Sequence, residues 1–128
     1  KGIRDSVFLV GAQPHEKLRH YFSKADLLVH LSQFETFGIV SLEAIASGIP
    51  VVSFHNGGSD YTWKNIAGLC GRLIDKCSKE QDIVDTIIDL TKHADGLDLY
   101  AARSSIKERF SGHAVGGQLS AIYRRLIS

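Results

Sequence analysis

The sequence predicts an α/β domain: a parallel sheet with flanking helices. Three observations predict it. Short apolar runs alternate with helix-spaced segments through the first half of the chain, the order that strand–helix–strand units produce. Those runs are apolar at consecutive positions, as strands buried on both faces are. The second half carries only helical periodicity, enough to cover such a sheet.

The 128 residues make one domain. Hydrophobic residues at 44% and charged residues at 23% are the mix of a folded domain, not of a disordered segment. Fifteen basic residues against 14 acidic ones, a net charge of +1, give no electrostatic case for a nucleic-acid groove. Cys70 and Cys77 are too few for a disulfide framework and lack Cys-x-x-Cys spacing. Methionine is absent, so Lys1 is expected to be an internal residue of a longer protein.

Taken in order, Val7–Val10 is an apolar run stopped by Gly11 and predicts a buried strand. Pro14 opens a helix over His15 to Phe22, where Leu18, Tyr21 and Phe22 fall at helical spacing. Leu27 to Leu31 predicts the second strand. A helix follows from about Gly38 to Ser47, ended by Gly48 and Pro50. Val51–Phe54 predicts the third strand and Gly71–Ile74 the fourth, with a turn at Gly57-Gly58 and a short helix around Tyr61 to Asn65 between them. Helices are expected over Gln81 to His93, Leu99 to Phe110 and Ala114 to Ile127, the last burying Leu119, Ile122, Tyr123 and Leu126. The most apolar stretch, Phe37 to Phe54, is interrupted by Glu43 and Gly48-Ile49-Pro50, so it is not a membrane span. Ligands of parallel α/β sheets sit beyond the carboxyl ends of the strands. That directs attention to the loops Ser32 to Phe37 and His55 to Asp60.

The first of these loops leads into the chemically informative segment. Gly38 lets the backbone approach a ligand closely, and the helix start offers the N–H groups of Gly38, Ile39 and Val40. With the positive end of the helix dipole, they are a seat for a phosphate. Glu43 has Ile39, Val40, Ala46 and Ser47 as its helical neighbours rather than a charged stripe. It either points into water at a groove edge or accepts hydrogen bonds from paired hydroxyls such as a ribose diol. Glu35, by itself, reads as a solvated loop acid or helix cap.

Together, Glu35 and Glu43 with seven residues between them, enclosing Phe37-Gly38, resemble the E-x7-E signature of group 1 glycosyltransferases. These are retaining nucleotide-sugar transferases with two Rossmann-like domains, the GT-B fold. Phe8-Leu9-Val10-Gly11, Ala25-Asp26, Ser32, Glu43-Ala44, Gly48-Ile49-Pro50-Val51-Val52, Gly57-Gly58 and Gly71–Ile74 are similar to that family's C-terminal domain. The resemblance implies a Rossmann-like parallel sheet and the donor-binding half of an enzyme that moves a sugar from a nucleotide diphospho-sugar to a glycan or lipid acceptor. It implies that Glu35 faces the transferred sugar and is the catalytic residue of the site, though no general acid is visible in the pattern. The main chain at Phe37, Gly38, Ile39 and Val40 would contact diphosphate and sugar, and Glu43 would hold the ribose hydroxyls. Nothing in the pattern asks for a metal or a cofactor. The family often has proline where Leu31 stands, and an acid where Tyr61 stands. Its diphosphate-gripping cations and its N-terminal acceptor domain are expected to precede Lys1, so the isolated piece is expected to be inactive, with a bare sheet edge open to self-association. The expected location is cytoplasmic, or peripheral to a membrane. The competing readings are a non-catalytic nucleotide-binding or assembly module and a nucleotide-sugar epimerase.

Other signals carry less. His15 and His20 are five apart, roughly 140° around a helix, and read as surface polar residues, not a zinc pair. His30 reads as a satisfied strand histidine. His55 has a better position to touch substrate. Gly116-Gly117 reads as a helix break, and Trp63 as core or interface packing.

Overall fold

A computed structural model describes residues 3–127. The elements run α1 (His15–Phe22), β1 (Leu28–His30), α2 (Ile39–Ala46), β2 (Val51–Phe54), α3 (Gly58–Thr62), α4 (Ala67–Cys70), β3 (Gly71–Ile74), α5 (Glu80–His93), α6 (Leu99–Phe110) and α7 (Gly112–Leu126). The three strands form one parallel sheet in the order β1-β2-β3. Leu28 pairs with Val51 and Val52 with Arg72, so the strand ends that carry the two candidate loops lie side by side.

The expected alternation therefore holds, and its physical cause is visible. Strand β2 is central and buried at all four positions, which explains its unbroken apolar run. Helix α2 packs on β1, β2 and α6. Its mean composition is strongly apolar because Leu42, Ala44 and Ile45 enter the core while Ile39 remains 62% exposed. The core joins these to Trp63, Ile66, Cys70, Ala102 and Ile106. The helix stops where Gly48 takes φ +83° ahead of Pro50. Gly71 is required by close approach: a Cβ there would lie 1.8 Å from the Val51 carbonyl oxygen.

Four expectations are corrected. Val7–Val10 is not a strand; it is irregular chain, with Phe8 81% and Leu9 97% exposed. An apolar run becomes a strand only by pairing, and among the described residues the outer edge of β1 has no partner. The short helix begins at Gly58, three residues earlier than expected, because Asp60 caps it. Gly116-Gly117 does not break α7: two glycines cost a helix about 1 kcal/mol each without preventing it. Nor is the stripe Leu119, Ile122, Tyr123 and Leu126 buried, at 48 to 76% exposure, since α7 packs chiefly on α6 alone. Among the described residues no helix is long and apolar enough to cross a membrane.

Candidate functional site

The carboxyl ends of β1 and β2 release two loops that are laced together. The Glu35 amide donates to the Asn56 carbonyl at 3.2 Å, and the Gly58 amide donates to the Glu35 carbonyl at 2.9 Å. Asn56 is 6% exposed; its amide nitrogen donates to the Ser32 carbonyl and its oxygen accepts from the Ser59 amide. Ser59 in turn shares a buried hydroxyl bond of 2.8 Å with Ser53 at the end of β2. Leaving a buried polar group unpaired is costly, so this chain of bonds favours one arrangement of the two loops.

Helix α2 rises from that floor. Gly38 is its N-cap, at φ +76° and ψ 45°, a left-handed conformation that glycine adopts without steric cost. No side chain caps the first turn, and no acidic residue lies in it. The carbonyl of Gly38 accepts from the amides of Ser41 and Leu42, leaving the N–H groups of Ile39 and Val40 at the open end. The neighbouring helix start is different. In α3 the Gly57 amide donates to Asp60 Oδ2 at 2.9 Å, and the Gly58 and Ser59 amides are taken by Glu35 and Asn56. Of the two helix starts at this end of the sheet, α2 offers amides and α3 has its own occupied.

Glu35 stands beside the open end. Its Oε1 accepts from the Thr36 amide at 3.2 Å, and its Oε2 lies 3.7 Å from Nε2 of His30. Its methylene stem lies where a Cβ on Gly58 or on Gly38 would come within 3.0 or 3.5 Å. The Phe37 ring packs edge-on against Phe110 at 5.3 Å, so at this position the main chain is what faces the loop. Arg109 ties α6 to the same region, donating to the carbonyls of Thr62 and Tyr61 at 2.9 and 3.0 Å.

Glu43 lies one turn further along α2, in a different neighbourhood. Its Oε1 is 2.7 Å from Nε2 of His15 at the start of α1, and the pair is open to solvent. It lines a cavity of about 200 Å³ together with His15, Arg19 and Phe22 from α1 and Ser47 from α2. The carboxylate thus sits at the edge of a crevice with an imidazole as its partner. His15, read as surface polar, is indeed on the surface, yet it is the partner of Glu43. The structure places Glu35 and Glu43 on either side of the open turn of α2 and does not bring them together.

His55 is engaged: its Nδ1 lies 2.5 Å from Asp60 Oδ1. That bond, followed by the one from the Gly57 amide, lowers the Asp60 pKa from its ordinary 3.8. Asp60 is therefore a helix cap. Among the described residues, no group of three or more His, Cys, Asp or Glu side chains is placed to hold a metal ion. Asn56, Ser41 and His15 went unnamed as site residues by the sequence. Their partners lie 24, 11 and 28 residues away, distances at which no periodicity signals contact.

Comparison with known proteins addresses the family and the fold. The chain matches the family model described as "Glycosyl transferases group 1" over residues 1–108. An amylovoran biosynthesis glycosyltransferase of Erwinia amylovora is 28% identical over 141 residues, covering 97% of this chain and 32% of the relative. A D-inositol 3-phosphate glycosyltransferase of Mycobacterium tuberculosis is 31% identical, over 98% of this chain and 26% of its own length. Among solved structures, sucrose-phosphate synthase from Thermosynechococcus elongatus superposes with a TM-score of 0.82 at 29% identity, over 96% of this chain and 31% of that one. The chain thus spans about a third or less of the relatives it matches. The fold is the expected Rossmann-like α/β domain of the GT-B kind. With the family model covering most of its length and the relatives nearly all of it, the chain belongs to the group 1 glycosyltransferases.

Proposed function

We propose that this domain binds the nucleotide diphospho-sugar donor for transfer of the sugar to a glycan or lipid acceptor, as the C-terminal half of a longer, cytoplasmic or membrane-peripheral enzyme. The observation that carries the reading is the contrast between two helix starts. The first turn of α2 is uncapped, glycine-led and free of carboxylates, while α3 beside it is satisfied internally. An uncapped helix start with a positive dipole end favours an anion.

In this reading the amides near Gly38, Ile39 and Val40, with the Phe37 main chain, receive the diphosphate. Glu43, at the mouth of the α1–α2 crevice, accepts hydrogen bonds from the ribose diol, and Glu35 meets the hydroxyls of the transferred sugar. In such a transfer positive charge develops on the sugar ring and negative charge on the departing diphosphate. Fixed amide dipoles at the diphosphate therefore gain strength in the transition state, which is what accelerates the step. The names of the Erwinia and Mycobacterium relatives, both glycosyltransferases, support the reaction class. The chain spans about a third or less of the relatives it matches; in this reading acceptor binding and further diphosphate-gripping cations lie in parts of the protein outside these 128 residues, which alone would turn over no donor. Among the described residues the outer edge of β1 has no partner strand, which supports self-association of the isolated piece; light scattering would register it as a mass above one chain.

Calorimetry with uridine, adenosine and guanosine diphosphates and their glucose conjugates tests the reading. Glu43→Ala should weaken every nucleotide by about tenfold or more, the worth of a hydrogen bond to a charged group. Glu35→Ala should remove only the gain that the sugar brings. Unchanged binding in both variants would overturn the proposal.

A further inference from the structure

We propose that His30 is a positioning residue for Glu35, with Ser41 fixing the tautomer of its imidazole. This rests on the reading of Glu35 as the group that meets the transferred sugar. His30 closes β1, and its ring spans two other elements: Nδ1 lies 3.2 Å from Ser41 Oγ on α2, and Nε2 lies 3.7 Å from Glu35 Oε2 in the loop between them. Ser41 is fully buried, and the imidazole side chain is 17% exposed.

The proton on the ring follows from its neighbours. A neutral imidazole carries one N–H, and its other nitrogen accepts. A lone pair on Nε2 would face the carboxylate and be repelled, so the proton belongs on Nε2. Nδ1 is then the acceptor, and the buried Ser41 hydroxyl donates to it. Ser41 thereby selects the tautomer whose N–H dipole points at Glu35.

At 3.7 Å that N–H is beyond hydrogen-bond length, so it orients the carboxylate electrostatically and leaves lone pairs of Oε2 for a hydroxyl. The remaining freedom of Glu35 is removed by the Thr36 amide on Oε1 and by the close approach of Gly58 to its stem. A side chain ordered before its ligand arrives loses less entropy on binding, which raises affinity without any new contact.

The test uses the chain as it stands, in two measurements. Long-range proton–nitrogen NMR reads the tautomer of each imidazole. The Nε2–H form is expected for His30 in the wild type, and a mixed signal in Ser41→Ala. Calorimetry then compares uridine, adenosine and guanosine diphosphates with their glucose conjugates. His30→Leu should reduce the sugar-dependent gain at least threefold while leaving the bare nucleotide unchanged. His30→Gln, which keeps a side-chain N–H, should restore part of it. If Glu35→Gln abolishes the gain and His30→Leu does not, the positioning role is wrong and the reading of Glu35 stands. If Glu35→Gln leaves the gain intact, both fall. Should His30→Leu fail to fold, Ser41→Ala and the wild-type tautomer decide: a wild-type Nδ1–H form overturns the proposal.

Discussion

Replacing Gly58 by alanine tests the packing that holds Glu35 against the start of α2. An added Cβ would lie 2.9 Å from the Phe37 carbonyl carbon, 3.0 Å from the Phe37 nitrogen and 3.0 Å from Glu35 Cγ. Carbon atoms in good contact sit at about 3.5–4.0 Å, so the overlap is roughly half an ångström or more. The Glu35 stem can swing away, but the Phe37 main chain has little room to retreat. Its ring is held against Phe110, and the loop is tied on both sides of Glu35 to Asn56 and Gly58. Overpacking of this kind costs about 1–3 kcal/mol. Alanine's better helix preference returns about 0.5–1 kcal/mol. Taken at the middle of those ranges the net loss is about 1.3 kcal/mol, which at about 4 °C per kcal/mol lowers the melting temperature by about 5 °C. Far-UV circular dichroism during heating and in urea gives the value. Gly68→Ala in α4 is the control: nothing lies within 4 Å of its Cβ, and it should be neutral or stabilising. A Gly58→Ala protein as stable as the wild type, or more stable, would refute the packing argument. The same variant displaces Glu35, so its sugar-dependent binding gain should fall as well.

Three further outcomes are expected. Gly71→Ala drives a Cβ to 1.8 Å from the Val51 carbonyl oxygen, so β2 and β3 cannot keep their register and the loss should exceed about 3 kcal/mol, visible as a collapsed urea midpoint. Asp60 has its pKa depressed below 3.8 by His55 and the Gly57 amide, so the folded state binds its proton less readily than the unfolded chain does. Its stabilisation is full at neutral pH and is lost as pH falls through 3.8 toward the folded value; the gap in unfolding midpoint between wild type and Asp60→Asn should close over that range. Burial pushes the Cys70 thiol up to about 12, whereas Cys77 is exposed, so a thiol reagent at pH 8 should titrate one thiol in the native protein and two in denaturant.

What could be read from the sequence is what local rules govern. The run Val51 to Phe54 has no polar alternation because β2 is covered on both faces, and Gly48 with Pro50 ends α2 by backbone geometry alone. Gly38 at the mouth of α2 was legible for the same reason. Val7–Val10 misled because an apolar run does not carry its own pairing partner. The ties that hold the site were hidden for a related reason. His30 reaches Ser41 only once β1 and α2 are packed, and His15 reaches Glu43 only once α1 lies against α2. Asn56 joins two loops that no spacing connects. Family resemblance singled out Glu35 and Glu43 as candidates; it said nothing of the groups that hold them.

Helix α2 faces two ways. Leu42 and Ile45 anchor it in the interior while Gly38 opens its mouth to the surface. Anything gripped at that mouth by the native fold alone therefore reinforces the whole domain: a ligand at a hundred times its dissociation constant adds about 2.7 kcal/mol to the unfolding free energy. Heating the chain beside a panel of candidate compounds becomes a way to sort what that mouth binds, nucleotide sugars among them, with no catalytic assay required.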